Sequence, residues 1–248
     1  MTSKSWIRRV GAPLIIFVVI VAASVSSMHA FEDARKVSVV SFGLFGDQAV
    51  FRREATGAAL VVADRFGCGP MNVQYNSKKG GRATIKALAK SLQLAANGLD
   101  ANKDVLFLIL TSHGSHAGLE VKAGRRTETL TPSRLAKILA RTDVRHKVVV
   151  ISACYSGVFI PPLANPDLLV ITAADANHPS FGCRDKAKWT YFGNAFFNIA
   201  LRQAKSVKNA FVVARALIRK RELREDIEPS NPQMAGGKNV HPLLIMRP

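Results

Sequence analysis

Acidic and aromatic residues are both scarce in this chain of 248 residues. Asp and Glu number 17 against 35 Lys and Arg, so the formal net charge is +18, and aromatic residues make up 7%. A basic protein binds nucleic acid when its cations cluster and aromatic side chains stack on bases. Here the cations are dispersed and no nucleic-acid motif is present, so we expect no nucleic-acid partner. Weak, salt-sensitive attraction to an anionic membrane surface is the alternative use of such a charge.

Cysteine is scarce as well, and it occurs only as Cys68, Cys154 and Cys183. An odd number of cysteines excludes complete pairing and leaves at least one free thiol. Cys154 is our candidate for that free thiol. Cys68 and Cys183 are then available to pair, but the sequence does not give the distance that a disulfide requires.

Long apolar runs are missing except near the N-terminus. There, the cations Lys4, Arg8 and Arg9 precede an apolar run at 11–25, and small residues follow up to Ala30. This order is typical of a secretory signal peptide, since a membrane-spanning helix needs about 20 apolar residues. We therefore predict that 1–30 is a signal peptide or, alternatively, an uncleaved membrane anchor. Either one predicts export, with the domain at 31–248 periplasmic or membrane-anchored outside the cytoplasm.

Internal repeats, low-complexity tracts and domain linkers are also missing, and short apolar runs alternate with helical patterns. Such alternation predicts an α/β fold with an open, mostly parallel sheet flanked by helices. The predicted strands are 37–42, 72–75, 105–110, 147–152 and 168–172, with a last strand near Gln233 or within 240–246. The predicted helices are 48–65, 84–97, 132–141, 191–202 and 207–224.

Two polar clusters, at 111–115 and 153–157, directly follow the two most apolar strands. In parallel sheets, ligands bind beyond the carboxyl ends of the strands, and neighbouring strands lie about 4.8 Å apart. Alone, a cysteine after a buried strand is usually a small core residue, and a loop histidine is usually solvated. Together, His113 and Cys154 at matching strand ends predict a base and a thiol nucleophile that share one cleft.

The sequences around these two residues resemble those of a known family. FLILTSHGS at 107–115 and VVISACYSG at 149–157 are similar to the His-Gly and Ala-Cys-x-Ser-Gly motifs of the legumain (asparaginyl endopeptidase) family, and the resemblance extends over 37–235. It implies a caspase-like α/β/α sandwich and a cysteine endopeptidase that needs no cofactor or metal. Cys154 would be the nucleophile and His113 the general acid/base, with the Gly114 and Cys154 N–H groups as oxyanion hole. The family's orienting Asn has no clear equivalent, because Val50 occupies the nearest position.

The resemblance also points to a pocket for the substrate residue before the cut. It implies that Arg52 supplies the pocket arginine and that the segment from Ser180 lines the pocket. Ser152 and Asn194 stand where legumain carries Glu and Asp, so both balancing carboxylates are expected to be missing. An uncompensated arginine favours a carboxylate, which it pairs in a bidentate, charge-assisted way. We therefore predict better cleavage after Asp than legumain shows.

Other functions stay open at this stage. A transpeptidase or transamidase would use the same dyad, and a catalytically inactive caspase-like binding protein would use only the fold. His113 and His116 form an H-x-x-H pair, but without the helical H-E-x-x-H context it is a poor zinc motif. The expected partner is a peptide or protein substrate. The N-terminal segment or a basic surface such as 219–224 is available for membrane association, and the sequence does not indicate an oligomeric state.

Overall fold

The architecture comes from a computed structural model, which describes residues 35–245 except for the side chain of Cys68. The predicted signal peptide or anchor at 1–30 lies outside the described residues. From Lys36 onward the described chain forms one compact unit. Among the residues described, no helix has the length and apolar character needed to cross a membrane.

The described chain forms ten strands, which build two sheets. The strands are β1 (Val37–Gly43), β2 (Cys68–Ser77), β3 (Gly80–Gly81), β4 (Val105–Thr111), β5 (Gly114–Ser115), β6 (Gly118–Ala123), β7 (Arg126–Leu130), β8 (His146–Ser152), β9 (Leu168–Thr172) and β10 (Gln233–Gly236). Seven of them form the main sheet in the order β10-β9-β8-β4-β1-β2-β3. The five strands from β9 to β2 run parallel, and the edge strands β10 and β3 are antiparallel to their neighbours. A separate antiparallel sheet has the order β5-β6-β7.

Helices cover both faces of the main sheet. They are α1 (Ala49–Phe66), α2 (Ile85–Asn97), α3 (Pro132–Leu139), α4 (Ile160–Leu163), α5 (Tyr191–Gly193) and α6 (Val207–Arg224), and a π-helical segment, Asn194–Leu201, continues α5. This mostly parallel sheet between helical layers confirms the predicted α/β class and the caspase-like sandwich.

The alternation of side chains along β4 explains the layers. Phe107 and Ile109 pack with α1, the π-helical segment and α6 on one face. Leu108 and Leu110 pack with α2 and α3 on the other face. Because both faces of the strand are buried, its sequence is a continuous apolar run. The core therefore fixes the central strands, and their carboxyl ends form a rigid edge.

The structure adds a hairpin that the sequence did not predict, and it decides the position of the last strand. The sequence predicts no strand between 111 and 130, but β6 and β7 form a hairpin there, and β7 is polar and almost wholly exposed. Such a strand carries no apolar alternation from which to predict it. The uncertain last strand is the one near residue 233, and it pairs antiparallel with β9.

Candidate active site

The two predicted polar clusters meet at the carboxyl edge of the sheet. Strands β4 and β8 are parallel neighbours, and their last residues, Thr111 and Ser152, are partners in the register. The Ser112 N–H extends this pairing by donating to the Ser152 carbonyl at 3.2 Å. His113 and Cys154 each follow two residues after this pair, so adjacent strands deliver both side chains to one edge.

The Cys154 thiol is held by the backbone of Ser180. Its Sγ accepts a hydrogen bond from the Ser180 N–H at 3.2 Å and lies 3.2 Å from the Ser180 carbonyl oxygen, to which the thiol can donate. Burial raises the pKa of this thiol, and the backbone hydrogen bonds partly oppose that rise. The raised pKa favours the thiol over the thiolate, so a base beside Cys154 would aid its reaction as a nucleophile.

Gly114 brings the backbone after His113 against the backbone of Cys154. A Cβ atom at Gly114 would lie 2.2 Å from the Cys154 carbonyl oxygen, a distance that no other residue type can accept. After Cys154 the chain turns sharply, because Tyr155 is left-handed with φ 54°. The close approach places the Gly114 and Cys154 backbones side by side, as an oxyanion hole built from their N–H groups requires.

His113 is oriented by Gln48. Its Nε2 lies 2.6 Å from Oε1 of Gln48, which directly precedes α1. An amide oxygen can only accept, so Nε2 carries the proton and Nδ1 keeps a lone pair for proton transfer. The rings of Phe45 and Phe51 stand edge-on to the imidazole, with centroids 4.6 and 5.0 Å away. Burial lowers the pKa of His113, and the charge of Glu120 partly opposes this.

Gln48 was missed in the sequence because we compared Val50 with the orienting Asn of the family. Val50 is fully buried in the core. The available signal was a polar residue in the loop after β1, since β1 lies beside β4 and ends at the same edge of the sheet.

A second missed residue is Glu54, a fully buried carboxyl on α1. It accepts hydrogen bonds from the Thr111 hydroxyl at 2.9 Å and from the Thr190 N–H at 2.7 Å. Burial raises the pKa of Glu54, while hydrogen bonds that include one from Ser152 oppose the rise. The signal was present, because Glu54 shares the inward side of α1 with Val50 and Ala58.

Positions 152 and 194 carry no acid, but Glu54 brings a carboxyl next to Ser152 from the helix. The Ser152 hydroxyl is 3.1 Å from the Thr190 hydroxyl, and both lie beside the Glu54 carboxyl. Gly193 closes the cluster, because a Cβ there would lie 2.0 Å from Glu54 Oε2. Comparison by position alone missed this acid, because a helix supplies it rather than the strand end before Cys154.

The other predicted pocket residues have mixed positions. Ser180 contacts the thiol through its backbone, as described above. Asn194 is half-buried, and its side-chain oxygen accepts a hydrogen bond from Asn198 at 3.0 Å. Arg52 is exposed, with its guanidinium 5.7 Å from the centre of the Tyr75 ring. Its role in binding the residue before the cut stays a prediction.

Cys183 is a free thiol in this structure. Burial first, then the charges of Cys154 and Glu54, raise its pKa to about 12.

His116 packs against the Tyr155 ring, with centroids 4.5 Å apart. Over the described range 35–245, no cluster of three or more His, Cys, Asp or Glu side chains forms a potential metal site.

Comparison with known proteins agrees with this geometry. A sequence model described as the Peptidase C13 family matches residues 79–239, well over half of the chain. The chain belongs to this family, the legumain family of cysteine peptidases. The predicted membership is thereby confirmed, and the match spans both His113 and Cys154. Searching curated proteins gives no match.

The fold of this C13 family member is also found in solved structures. It is similar to the crystal structure of caspase-1 from Spodoptera frugiperda, with a TM-score of 0.55 over 84% of this chain and 92% of that chain. The two sequences are 15% identical, so the likeness shows the fold alone.

Proposed function

We propose that this C13 family member is an endopeptidase in which Cys154 forms an acyl-enzyme and His113 transfers protons. The observation that carries the proposal is the contact between the Gly114 and Cys154 backbones, with the thiol held beside it by Ser180. This arrangement supplies a nucleophile next to N–H groups that can stabilise an oxyanion. Family membership and the caspase-like fold support a cysteine peptidase.

The proposed reaction begins with loss of the thiol proton as the sulfur attacks the scissile carbonyl. His113 Nδ1 is the acceptor for that proton, because Gln48 holds Nε2 as a donor. The carbonyl oxygen becomes an oxyanion that accepts hydrogen bonds from the Gly114 and Cys154 N–H groups. The imidazolium then protonates the leaving amine, and the C–N bond breaks to give a thioester on Cys154. Water activated by neutral His113 attacks this thioester and releases the acid product.

The experiment that tests this proposal compares two free thiols in the same protein. Cys154→Ala removes the nucleophile, and we expect peptide cleavage to fall by about 10⁴ or more. Cys183→Ala is the matched control, and we expect it to retain cleavage within about tenfold, since it removes no reacting atom. Both rates are measured with a fluorogenic peptide library. Cleavage by the Cys154→Ala variant at the wild-type rate would refute the assignment.

Transfer to an amine is the second candidate reaction, because a transpeptidase forms the same thioester. The acceptor decides between them, so the products must be identified in the presence of a competing amine nucleophile. Free acid as the dominant product supports hydrolysis, and a new amide supports transfer. An inactive binding protein is disfavoured by the intact dyad, and it would show neither product.

We propose, further, that cleavage after Asp is relatively better here than in legumain. Over residues 35–245 no carboxylate forms an ion pair with Arg52, and the pKa of Glu54 is raised, which favours its neutral form. Matched peptides that differ only as Asp or Asn before the cut test this preference. Arg52→Ala should remove it, and Arg141→Ala, an exposed arginine of the loop after α3, should not. A clear preference for Asn at neutral pH contradicts the idea.

Export is also a proposal, supported by the pattern of residues 1–30 in the sequence. Fusion of residues 1–40 to a reporter that works only after export tests it. An inactive reporter that stays in the cytosol would overturn it. N-terminal sequencing of the exported product then distinguishes a cleaved signal from an anchor.

A further inference from the structure

A groove of about 440 Å³ runs along the outer side of α1. Its floor is a row of α1 side chains, one from each helical turn: Arg52, Thr56 and Leu60. Tyr75 of β2 forms one wall, and the segment with Lys188 and Trp189 forms the other. At 1.5 Å per helical residue the row is about 12 Å long, which accommodates about four residues of extended peptide.

The wall at 185–189 is fixed in place rather than loosely laid over the helix. Arg53 Nε donates to the Ala187 carbonyl at 2.9 Å, and Asp185 accepts from the Ala49 N–H at 2.7 Å. Gly57 lets the indole of Trp189 rest directly on α1, since a Cβ there would lie 2.6 Å from the ring. The groove is therefore preformed, and a ligand would not have to order its walls.

The charge of the groove has one sign. Arg52, Arg53 and Lys188 line it, and no acidic residue is among the lining side chains. In the part of the chain that the structure describes, none of these three cations forms an ion pair with a carboxylate. Two neighbouring acids are engaged elsewhere, because Asp185 binds the start of α1 and Glu54 faces the core. Asp64, one turn beyond Leu60, is exposed and lies outside the lining of the groove.

Exposed apolar surface accompanies these cations. Leu60 is 54% exposed and Tyr75 is 43% exposed, although both are large side chains. Trp189 adds an aromatic wall that is only half-buried. Unpaired cations beside aromatic and aliphatic surface fit a ligand that has both carboxylates and apolar side chains. A short acidic and apolar peptide segment has this chemistry.

The groove begins next to the catalytic edge. Phe51, whose ring touches His113, directly precedes Arg52 in α1. On the other wall, Thr190 directly follows Trp189, and its N–H donates to the Glu54 carboxyl beside Ser152. A peptide in the groove therefore lies within a few residues of a chain bound at Cys154, and one polypeptide can occupy both.

We propose that this groove binds an acidic, apolar segment of the polypeptide substrate through Arg53 and Lys188, while Arg52, at the end of the groove nearest His113, stays the proposed arginine for the residue before the cut. The inference rests on the proposed peptidase function for the identity of its ligand, and it goes beyond the dyad by naming a second recognition site. The substrates favoured by this enzyme then carry Asp or Glu next to Leu or aromatic residues near the cleavage position.

Trp189 makes the binding measurable without catalysis. The sequence has two tryptophans, Trp6 and Trp189, so Trp6→Phe leaves the groove residue as the single tryptophan. In the full chain carrying Trp6→Phe and Cys154→Ala, a Glu-Leu-rich peptide is titrated while the indole fluorescence is recorded. A peptide with Gln in place of each Glu is the matched ligand, and anisotropy of a labelled peptide gives an independent Kd.

We expect the acidic peptide to bind at least about tenfold more tightly than its Gln counterpart, and less tightly as salt rises. Lys188→Glu should weaken binding by about tenfold or more, and Lys90→Glu, the same charge change on exposed α2, should not. Equal affinity for the two peptides, or equal effects of the two variants, overturns the proposal. Since the variant is inactive by design, failure of the peptidase proposal appears only in cleavage assays, and the two failures are distinguishable.

Discussion

Cys154 and Cys183 are both free, partly buried thiols near the same edge of the sheet, yet their surroundings differ. Cys154 follows a strand end, with the Ser180 backbone on its sulfur and the Gly114 backbone beside it. Within residues 35–245 the Cys183 sulfur makes no such backbone contacts. Burial, and then the charges of Cys154 and Glu54, raise its pKa to about 12. The comparison teaches that backbone contacts at the end of a strand, rather than exposure, distinguish the thiol that we propose as the nucleophile.

The largest expected effect comes from changing Gly114, whose backbone lies against that of Cys154. Gly114→Ala adds a Cβ that would lie 2.2 Å from the Cys154 carbonyl oxygen, so the backbone must move and the oxyanion donors with it. We expect kcat/KM to fall by about 10²–10³, the usual cost of one oxyanion donor. Peptide hydrolysis by the purified variant measures this loss.

Gly98→Ala is the matched control, because the nearest atom to its added Cβ is 3.8 Å away. It should keep wild-type kcat/KM. Circular dichroism of both variants separates a displaced backbone from a failure to fold. A folded Gly114→Ala enzyme with full activity would remove Gly114 from the oxyanion hole.

Substitution of Gln48 should have an intermediate effect, through the proposed base His113. Gln48→Ala frees the His113 ring from its 2.6 Å hydrogen bond, and we expect kcat to fall by about 10–10². Gln93→Ala, on the exposed side of α2, should leave kcat unchanged. Gln48→Glu places an anion on Nε2, so the pKa of His113 should rise and the acid limb of the pH–rate profile should move to higher pH. An unmoved profile would mean that Gln48 does not position the base.

Glu54 is expected to act on stability, with the smallest change. Its folded-state pKa is raised by burial, so the folded protein holds a proton that the unfolded chain releases at the ordinary pKa of a glutamate. The contribution of Glu54 to the free energy of unfolding is therefore fully present below that ordinary pKa and falls as pH rises towards the folded pKa, by at most about 1.4 kcal/mol per pH unit.

Glu54→Gln should flatten this dependence, because the amide does not titrate. Urea unfolding at a series of pH values measures it, with Glu128→Gln on exposed β7 as the control. A Glu54→Gln protein that keeps the wild-type slope between pH 4.5 and neutrality would contradict a raised pKa.

Much of the fold was predictable, because the apolar strands β4 and β8 are buried on both faces and continuous in sequence. The polar residues at their ends led to the proposed pair of His113 and Cys154. Gln48 and Glu54 were missed because their roles depend on which strand and helix α1 lies against, and that information is tertiary. The hairpin was missed because β7 is polar and exposed and carries no hydrophobic period, and because the alternation of Leu119 and Val121 in β6 is only two residues long.

The most direct test of the central claim is the order in which the thiols react. The full-length native protein is treated with iodoacetamide, and labelled peptides are mapped by mass spectrometry while activity is followed. We predict that alkylation of Cys154 and loss of cleavage proceed together and accelerate with rising pH, while Cys183 reacts only after unfolding. Complete labelling of Cys154 with full activity, or loss of activity that follows Cys183 instead, would contradict the account.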